Sequence, residues 1–340
     1  MMQVTVFRRT GEAIGEIRPY VPEISWRIND FGRAKFTLAV TDSQAKAEFL
    51  QFGNRILIEF DNGLPNWGGV IDVPRDWGAG TVSCAAYSGE YLLNFRRTDK
   101  GRYFTDTPVG TIARRLVEEA NAIRATGLTI GDIWVGGDLH SPDYHVKNLY
   151  DIFTQSLFSR LSTADFAVIP SQVNGRIVFT LNVYERRGAD KPGVALHEGK
   201  NMTANSTLSE QGPIYNDVIT VGDGQNWGDD RLTGYGVDQS SVELYGLRET
   251  GVMMSGVKSP ITLQAGADTA IANNAHPHNL LKIEATDKKP GTFAQYDLGD
   301  RVAAEMPNYG FGGFRASVRV LGRAFYPERG VCDVVVREEV

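Results

Sequence analysis

The sequence predicts an α+β, mainly β fold in which two duplicated β-barrel modules flank a mixed α/β insert. Apolar residues alternate with period two at both ends of the chain, while helical spacing is confined to the middle. A stretch near the start also returns near the end. Residues 51–59 read QFGNRILIE and residues 297–305 read DLGDRVAAE. Gly53, Arg55 and Glu59 thus face Gly299, Arg301 and Glu305 at an offset of 246. Upstream, residues 36–42 match 281–287, two alternating runs that end in Thr-Asp, at an offset of 245. Downstream, Val70 to Arg75 face Val318 to Arg323, and Cys84 faces Cys332, at an offset of 248. Three blocks that keep their order and nearly their spacing predict one copy of a β module at each end of the chain.

At 340 residues the chain exceeds one typical core, and the division expected is 1–98 for the first module, 99–210 for the insert and 211–340 for the second module. A hydrophobic share of 42% with 22% charged residues is ordinary for a globular protein. The net charge of −6 supplies no global basic field, so general or sequence-specific nucleic-acid binding is not expected. Two cysteines outside any C-x-x-C pair exclude a disulfide framework and a thiolate zinc site. There is no signal-peptide core and no apolar run long enough to cross a bilayer, so synthesis in a cytoplasm without a membrane anchor is expected.

In chain order, Val4, Val6, Ile24, Trp26, Ile28, Phe36, Leu38, Val40, Ile56, Ile58, Phe60, Val70, Val73, Val82 and Cys84 mark strand stripes. Asp61-Asn62-Gly63 is a tight-turn signal between two of them, and a short helix over 43–50 is capped by Asp42 or Ser43. Thr107-Pro108 opens a helix whose stripe is Ile112, Leu116, Val117 and Ala120. A second helix spans 149–161. A hairpin then turns at Asn174-Gly175. Beyond 211 the pattern returns to strands, interrupted by a Gly/Asp/Asn-rich loop over 222–236 and a short helix over 268–274, and it closes with strands over 314–321 and 331–336.

Candidate chemistry is thin. His140, Asp143 and His145 are metal-ligand types, but Pro142 and loop character leave nothing to hold them in a fixed array. Acid pairs such as Asp72 with Asp76 or Asp217 with Asp223 are abundant because Asp favours turns, and the 222–236 loop lacks a phosphate loop's lysine and helix. Ser88 and Ser255 lack the G-x-S-x-G elbow. Trp67, Trp77 and Trp227 beside glycines are read as exposed and suited to stacking sugars. No catalytic residue, cofactor or metal is assigned.

The segments GRAKFTL (32–38), FGNRI (52–56), WGGVI (67–71), LLNFRR (92–97) and LGDRV (298–302), with the helices from Pro108 and Leu149, resemble the hub proteins of phage tail baseplates and the tail-associated proteins of long non-contractile tail tips. The resemblance covers most of the chain. It implies two tail-tube-like barrels per chain and a homotrimer whose six barrels form a pseudo-hexameric ring, adapting a six-fold tail tube to a three-fold tip around the DNA channel. It also implies partners: a tail tube or distal tail protein, a tip spike or fibre, and the tape measure protein. The location it implies is the virion, and an acidic total fits a lumen that DNA must pass. Some family hubs carry long C-terminal enzymatic, spike or fibre regions, whereas this sequence stops just past the second module, so wall-degrading or receptor-binding activity is expected on another polypeptide. The leading expectation is therefore a structural, non-enzymatic virion protein. Gly53 and Gly299 are expected at strand-entry turns, with Arg55, Glu59, Arg301 and Glu305 as paired charges at a module boundary or interface. The alternatives are a carbohydrate- or receptor-binding tail-tip protein and a cell-wall hydrolase.

Overall fold

The computed structural model describes residues 2–99, 101–223, 231–254, 256–309 and 312–338. The chain opens with β1 (Met2–Phe7), β2 (Ala13–Ile17), β3 (Tyr20–Arg27) and β4 (Arg33–Ala39), then a one-turn helix α1 (Ala47–Leu50), then β5 (Arg55–Phe60), β6 (Trp67–Trp77) and β7 (Thr81–Ser88). Alternation does what it predicts in β4, where Ala34, Phe36 and Leu38 are buried and the residues between them are not. The turn after β5 runs through Gly63 at φ +77°, and α1 is shorter than expected because Asp42 caps a preceding turn, accepting from Gln44 N at 2.8 Å.

The insert begins with two small ladders, β8 (Arg102–Tyr103) and β9 (Thr107–Pro108), that are completed later in the chain. Between the strands of these ladders come α2 (Val109–Ile123) and β10 (Leu128–Ile133); β11 (Leu139–His140) then pairs with β9, and β12 (Asp143–Tyr144) with β8. Helix α2 buries the predicted Ile112, Leu116, Val117 and Ala120. Helix α3 (Leu149–Ile152) is capped by Asn148, whose side chain accepts from Tyr150 N at 2.8 Å, and it runs on as a π-turn over Phe153–Leu157. The hairpin of β13 (Asp165–Val173) and β14 (Arg176–Tyr184) turns at Asn174 (φ +50°) and Gly175 (φ +74°), the two positive values a two-residue primed turn requires. These elements share a core with Phe7, Leu57 and Val70, so the sheet under the insert is buried on both faces.

The remaining elements are β15 (Asp190–His197), β16 (Thr207–Gln211), β17 (Asp217–Val221), β18 (Thr233–Val237), α4 (Gln239–Tyr245), β19 (Glu249–Met253), α5 (Pro260–Asn274), β20 (His278–Thr286), β21 (Arg301–Met306), β22 (Phe314–Tyr326) and β23 (Val331–Glu338). Strands β17 to β19 form a separate three-stranded sheet on which α5 packs, the Thr220 hydroxyl donating to Leu263 O at 2.7 Å. Helix α5 starts eight residues before the expected 268, at a Ser259 cap followed by Pro260.

Two closed barrels were expected; the described strands close none. Thirteen of them form one open sheet in the order β16-β20-β23-β22-β3-β4-β7-β6-β5-β1-β2, with β21 on β22 and β15 on β21. The reason is an edge-to-edge junction. Gly322–Phe325 of β22 pair antiparallel with Arg27–Ile24 of β3, fusing the two ends of the chain over a single shared core. Strands β15 and β16, expected in the insert, belong to this sheet. Among the described residues no helix is long and apolar enough to cross a membrane.

Candidate functional site: a repeated corner in the sheet

The repeated stretch occupies the same kind of corner twice. Gly53 (φ +88°) and Gly299 (φ +85°) each stand in the left-handed region just before a strand, where a side chain would be strained. Gly53 N donates to Ile71 O at 2.8 Å and Ile71 N to Asn54 O at 2.8 Å. The second corner repeats both bonds, Gly299 N to Val320 O at 2.8 Å and Val320 N to Asp300 O at 2.9 Å. From these corners the strands run in one order, β4-β7-β6-β5 in the first half and β20-β23-β22-β21 in the second. The ladders even break at like places, between Asp72 and Arg75 in β6 and between Val320 and Gly322 in β22.

Just past each break an arginine turns inward. Arg75 donates to Leu50 O and lies 4.2 Å from the centre of the Phe52 ring. Arg323 donates to Tyr296 O at 2.7 Å and lies 4.6 Å from the Tyr296 ring. These pairs correct the sequence register. Cys84 is opposite Arg75, and the residue opposite Arg323 is Val334, so Cys84 corresponds to Val334 and not to Cys332. Phe36, opposite Cys84, likewise corresponds to Ile283 and not to Leu281. A slip of two residues keeps every side chain on its face, which is why the sequence pattern does not resolve it.

The four charges near the corners differ in setting. Arg55 is buried beneath the insert, 5.3 Å from the Phe179 ring, and burial there lowers its pKa below the usual arginine range. Glu59 is half-buried on β5 opposite Gln3. Arg301 pairs with Asp190 of β15, and Glu305 faces His197 at 3.3 Å and Arg315 at 3.5 Å. Sequence reasoning missed a stronger seam at Asp165. Its carboxylate accepts from Asn29 Nδ2 at 3.1 Å, from Arg187 N at 2.7 Å and from Arg319, joining the first half, the insert and the second half.

The other candidates are dispersed or enclosed. His145 pairs with Asp143 at 2.8 Å, while His140 is buried apart from them, and among the described residues no three His, Cys, Asp or Glu are placed to hold a metal ion. Trp67 is not exposed as expected. It is buried, with Nε1 donating to Ser25 O at 2.9 Å. Trp77 is exposed, whereas Trp227, Ser255 and residues 224–230 of the loop lie outside the described residues. Burial pushes the Cys84 and Cys332 thiols up, the reverse of an activated nucleophile.

Among solved structures the chain is similar to the 43 kDa tail protein of prophage MuSo2 from Shewanella oneidensis, with a TM-score of 0.64 and 12% identity over 98% of each chain. The fold is that of phage tail proteins. A tail protein from Neisseria meningitidis MC58 matches with a TM-score of 0.62 and 15% identity, covering 99% of this chain and 96% of its own. Prophage tail protein gp18 from Listeria monocytogenes EGD-e matches at 0.59 and 14%, covering 99% and 94%. Neither a family model nor a curated protein sequence matches the chain. The tail-protein fold therefore spans the chain from end to end, insert included.

Proposed function

We propose that this chain is a structural virion protein, the hub of a phage tail tip or baseplate, working as a homotrimer. The observation that carries the reading is the repeated corner with its repeated strand order, which makes each chain two similar halves of one sheet. Three such chains present six near-equivalent faces to a six-fold tail tube and three to a tip, and a ring of them surrounds the path of the DNA. Its partners are then a tail tube or distal tail protein on one side, a spike or fibre on the other and the tape measure protein within. Gly53 and Gly299 shape the two corners, and Arg55, Glu59, Arg301 and Glu305 hold the seams where the modules meet their neighbours. Function comes from buried interface area, not from a reaction.

Light scattering against the 37.4 kDa chain, with electron microscopy of the same sample, tests this. A mass of three chains and a six-lobed ring are expected. A single-chain mass at every concentration, with no ring formed on recombinant tail tube protein, overturns it.

A further inference from the structure

The junction between β22 and β3 has a counterpart whose two sides lie unpaired among the described strands. The second half of β22 is held by β3, and by the register above its equivalent is the second half of β6, with Arg323 to Phe325 corresponding to Arg75 to Trp77. Among the described strands β6 pairs only with β5, through Trp67–Val70, and with β7; no strand runs along its outer edge beyond Asp72. The equivalent of β3 is β16. Strand β3 lies on the outer side of β4, as β16 lies on the outer side of β20. Ala34, opposite Ile24, corresponds to Leu281, opposite Leu208, so residues 24–27 correspond to 208–211. Among the described strands β16 pairs only with β20 and ends the sheet.

The burial of the two copies differs as an occupied and an open joint would. Phe325 is 7% exposed beneath β3, and its counterpart Trp77 is 63% exposed. Arg323 is 2% exposed, and its counterpart Arg75 is only half-buried. Ile24 and Trp26 are buried, whereas Leu208 is half-buried and Glu210 exposed.

We infer that neighbouring copies of this chain join head to tail by antiparallel pairing of Arg75–Trp77 of one with Leu208–Glu210 of the next, reproducing between chains the β22–β3 junction found within each. This rests on the multimeric reading above and names the surfaces that make it. The transferred register sets Trp77 against Leu208, as Phe325 is set against Ile24, and Arg75 against Glu210, as Arg323 is set against Trp26. An apolar pair is kept, and where the chain sets Arg323 opposite Trp26 the joint between chains sets an arginine opposite a carboxylate.

The hydrogen-bond phase also fits. Ile28 N donates to Leu321 O at 2.9 Å, so with alternation Arg27/Gly322 and Ser25/Ala324 are non-hydrogen-bonded pairs. Pro74 lies in the break before Arg75, outside this ladder, so its missing N–H leaves no ladder bond unmade. The pairing is heterologous, so it propagates from chain to chain until rotation closes a ring. It also covers two edges that would otherwise invite indiscriminate strand addition.

Asp76 and Ser209 take the places of Ala324 and Ser25, a non-hydrogen-bonded pair with Cα atoms about 4.5 Å apart, within reach of a disulfide. Both native cysteines are buried, so a chain carrying Asp76→Cys and Ser209→Cys has one engineered pair available to air oxidation. The expected result on a non-reducing gel is covalent two- and three-chain species. Mixing the two single variants should give covalent pairs only. Moving the second cysteine off register, as Thr207→Cys, should cut the yield at least fivefold. Independently, Trp77→Glu on this exposed position should leave the far-UV spectrum and melting of the chain unchanged and weaken assembly at least tenfold. Multimers of normal mass that neither cross-link nor respond to Trp77→Glu overturn this pairing and leave the trimer standing. A protein that stays monomeric overturns both.

Discussion

Asp165→Asn should unfasten the three parts of the chain from one another. The side chains of Asp165 and Arg319 are 2% and 8% exposed, and the carboxylate also receives Asn29 Nδ2 and Arg187 N. Every one of these partners is a donor. An asparagine of the same shape keeps one acceptor oxygen and turns an N–H₂ towards donors, while the Arg319 guanidinium loses its buried counter-charge. Removing one member of a buried, hydrogen-bonded ion pair costs about 3–5 kcal/mol, at least about a fifth of the roughly 5–15 kcal/mol that holds a typical fold together. Urea unfolding followed by tryptophan fluorescence reads the loss directly. The companion variant Arg319→Met removes the cation that faces Asp165, so the double variant should recover at least about 1.5 kcal/mol relative to the sum of the single ones. A single-variant cost under about 1 kcal/mol, or strict additivity, would show that Asp165 is not the fastening point.

The two corners should respond unequally to the same change. A Cβ on Gly299 would stand 2.2 Å from Arg187 O, whereas on Gly53 its nearest neighbour is the Arg9 side chain at 3.5 Å. Both substitutions carry the left-handed penalty of about 1–2 kcal/mol, so Gly53→Ala should cost about that and Gly299→Ala clearly more; equal melting shifts would contradict this. Glu90 gives the pH dependence. Burial pushes its carboxyl up, against the hydrogen bonds it accepts from Ser88 Oγ at 2.5 Å and Val168 N at 2.9 Å. The folded chain therefore keeps a proton that the unfolded chain releases. The stability linked to that proton is fully present below the ordinary carboxylate value near pH 4 and is lost as pH rises through the raised value. Glu90→Gln keeps one acceptor and does not titrate, so the variant should gain on the wild type as pH rises. A wild-type advantage that grows with pH sinks the argument.

What was legible in the sequence was whatever a residue type enforces by itself. Glycine at positive φ, recurring at Gly53 and Gly299, located both corners, and Asn174-Gly175 located its hairpin because few other pairs tolerate that turn. Helix α2 was visible through its apolar stripe. Helix α5 was largely hidden, since its buried face is Thr262, Leu263 and Ala267, and small residues leave no stripe to count. Trp67 was misread for an instructive reason. The glycines after it suggested an exposed ring, yet a Cβ on Gly69 would stand 2.5 Å from the indole, so that glycine makes room for an enclosed ring.

The barrels failed on a different point. Whether a strand edge closes on its own module, joins the other or remains open depends on which partner arrives, and nothing in the alternation of β6 or β22 encodes that. The two strands look alike as sequence: each ends in a break, an inward arginine and an aromatic residue two positions on, Trp77 in one and Phe325 in the other. In one copy the aromatic is covered by β3 and in the other it faces solvent. The duplication thus supplies what a single module cannot, an internal example of the joint in its made form. The difference in burial between two equivalent residues then becomes evidence about a partner, where a lone exposed tryptophan would have been evidence of very little.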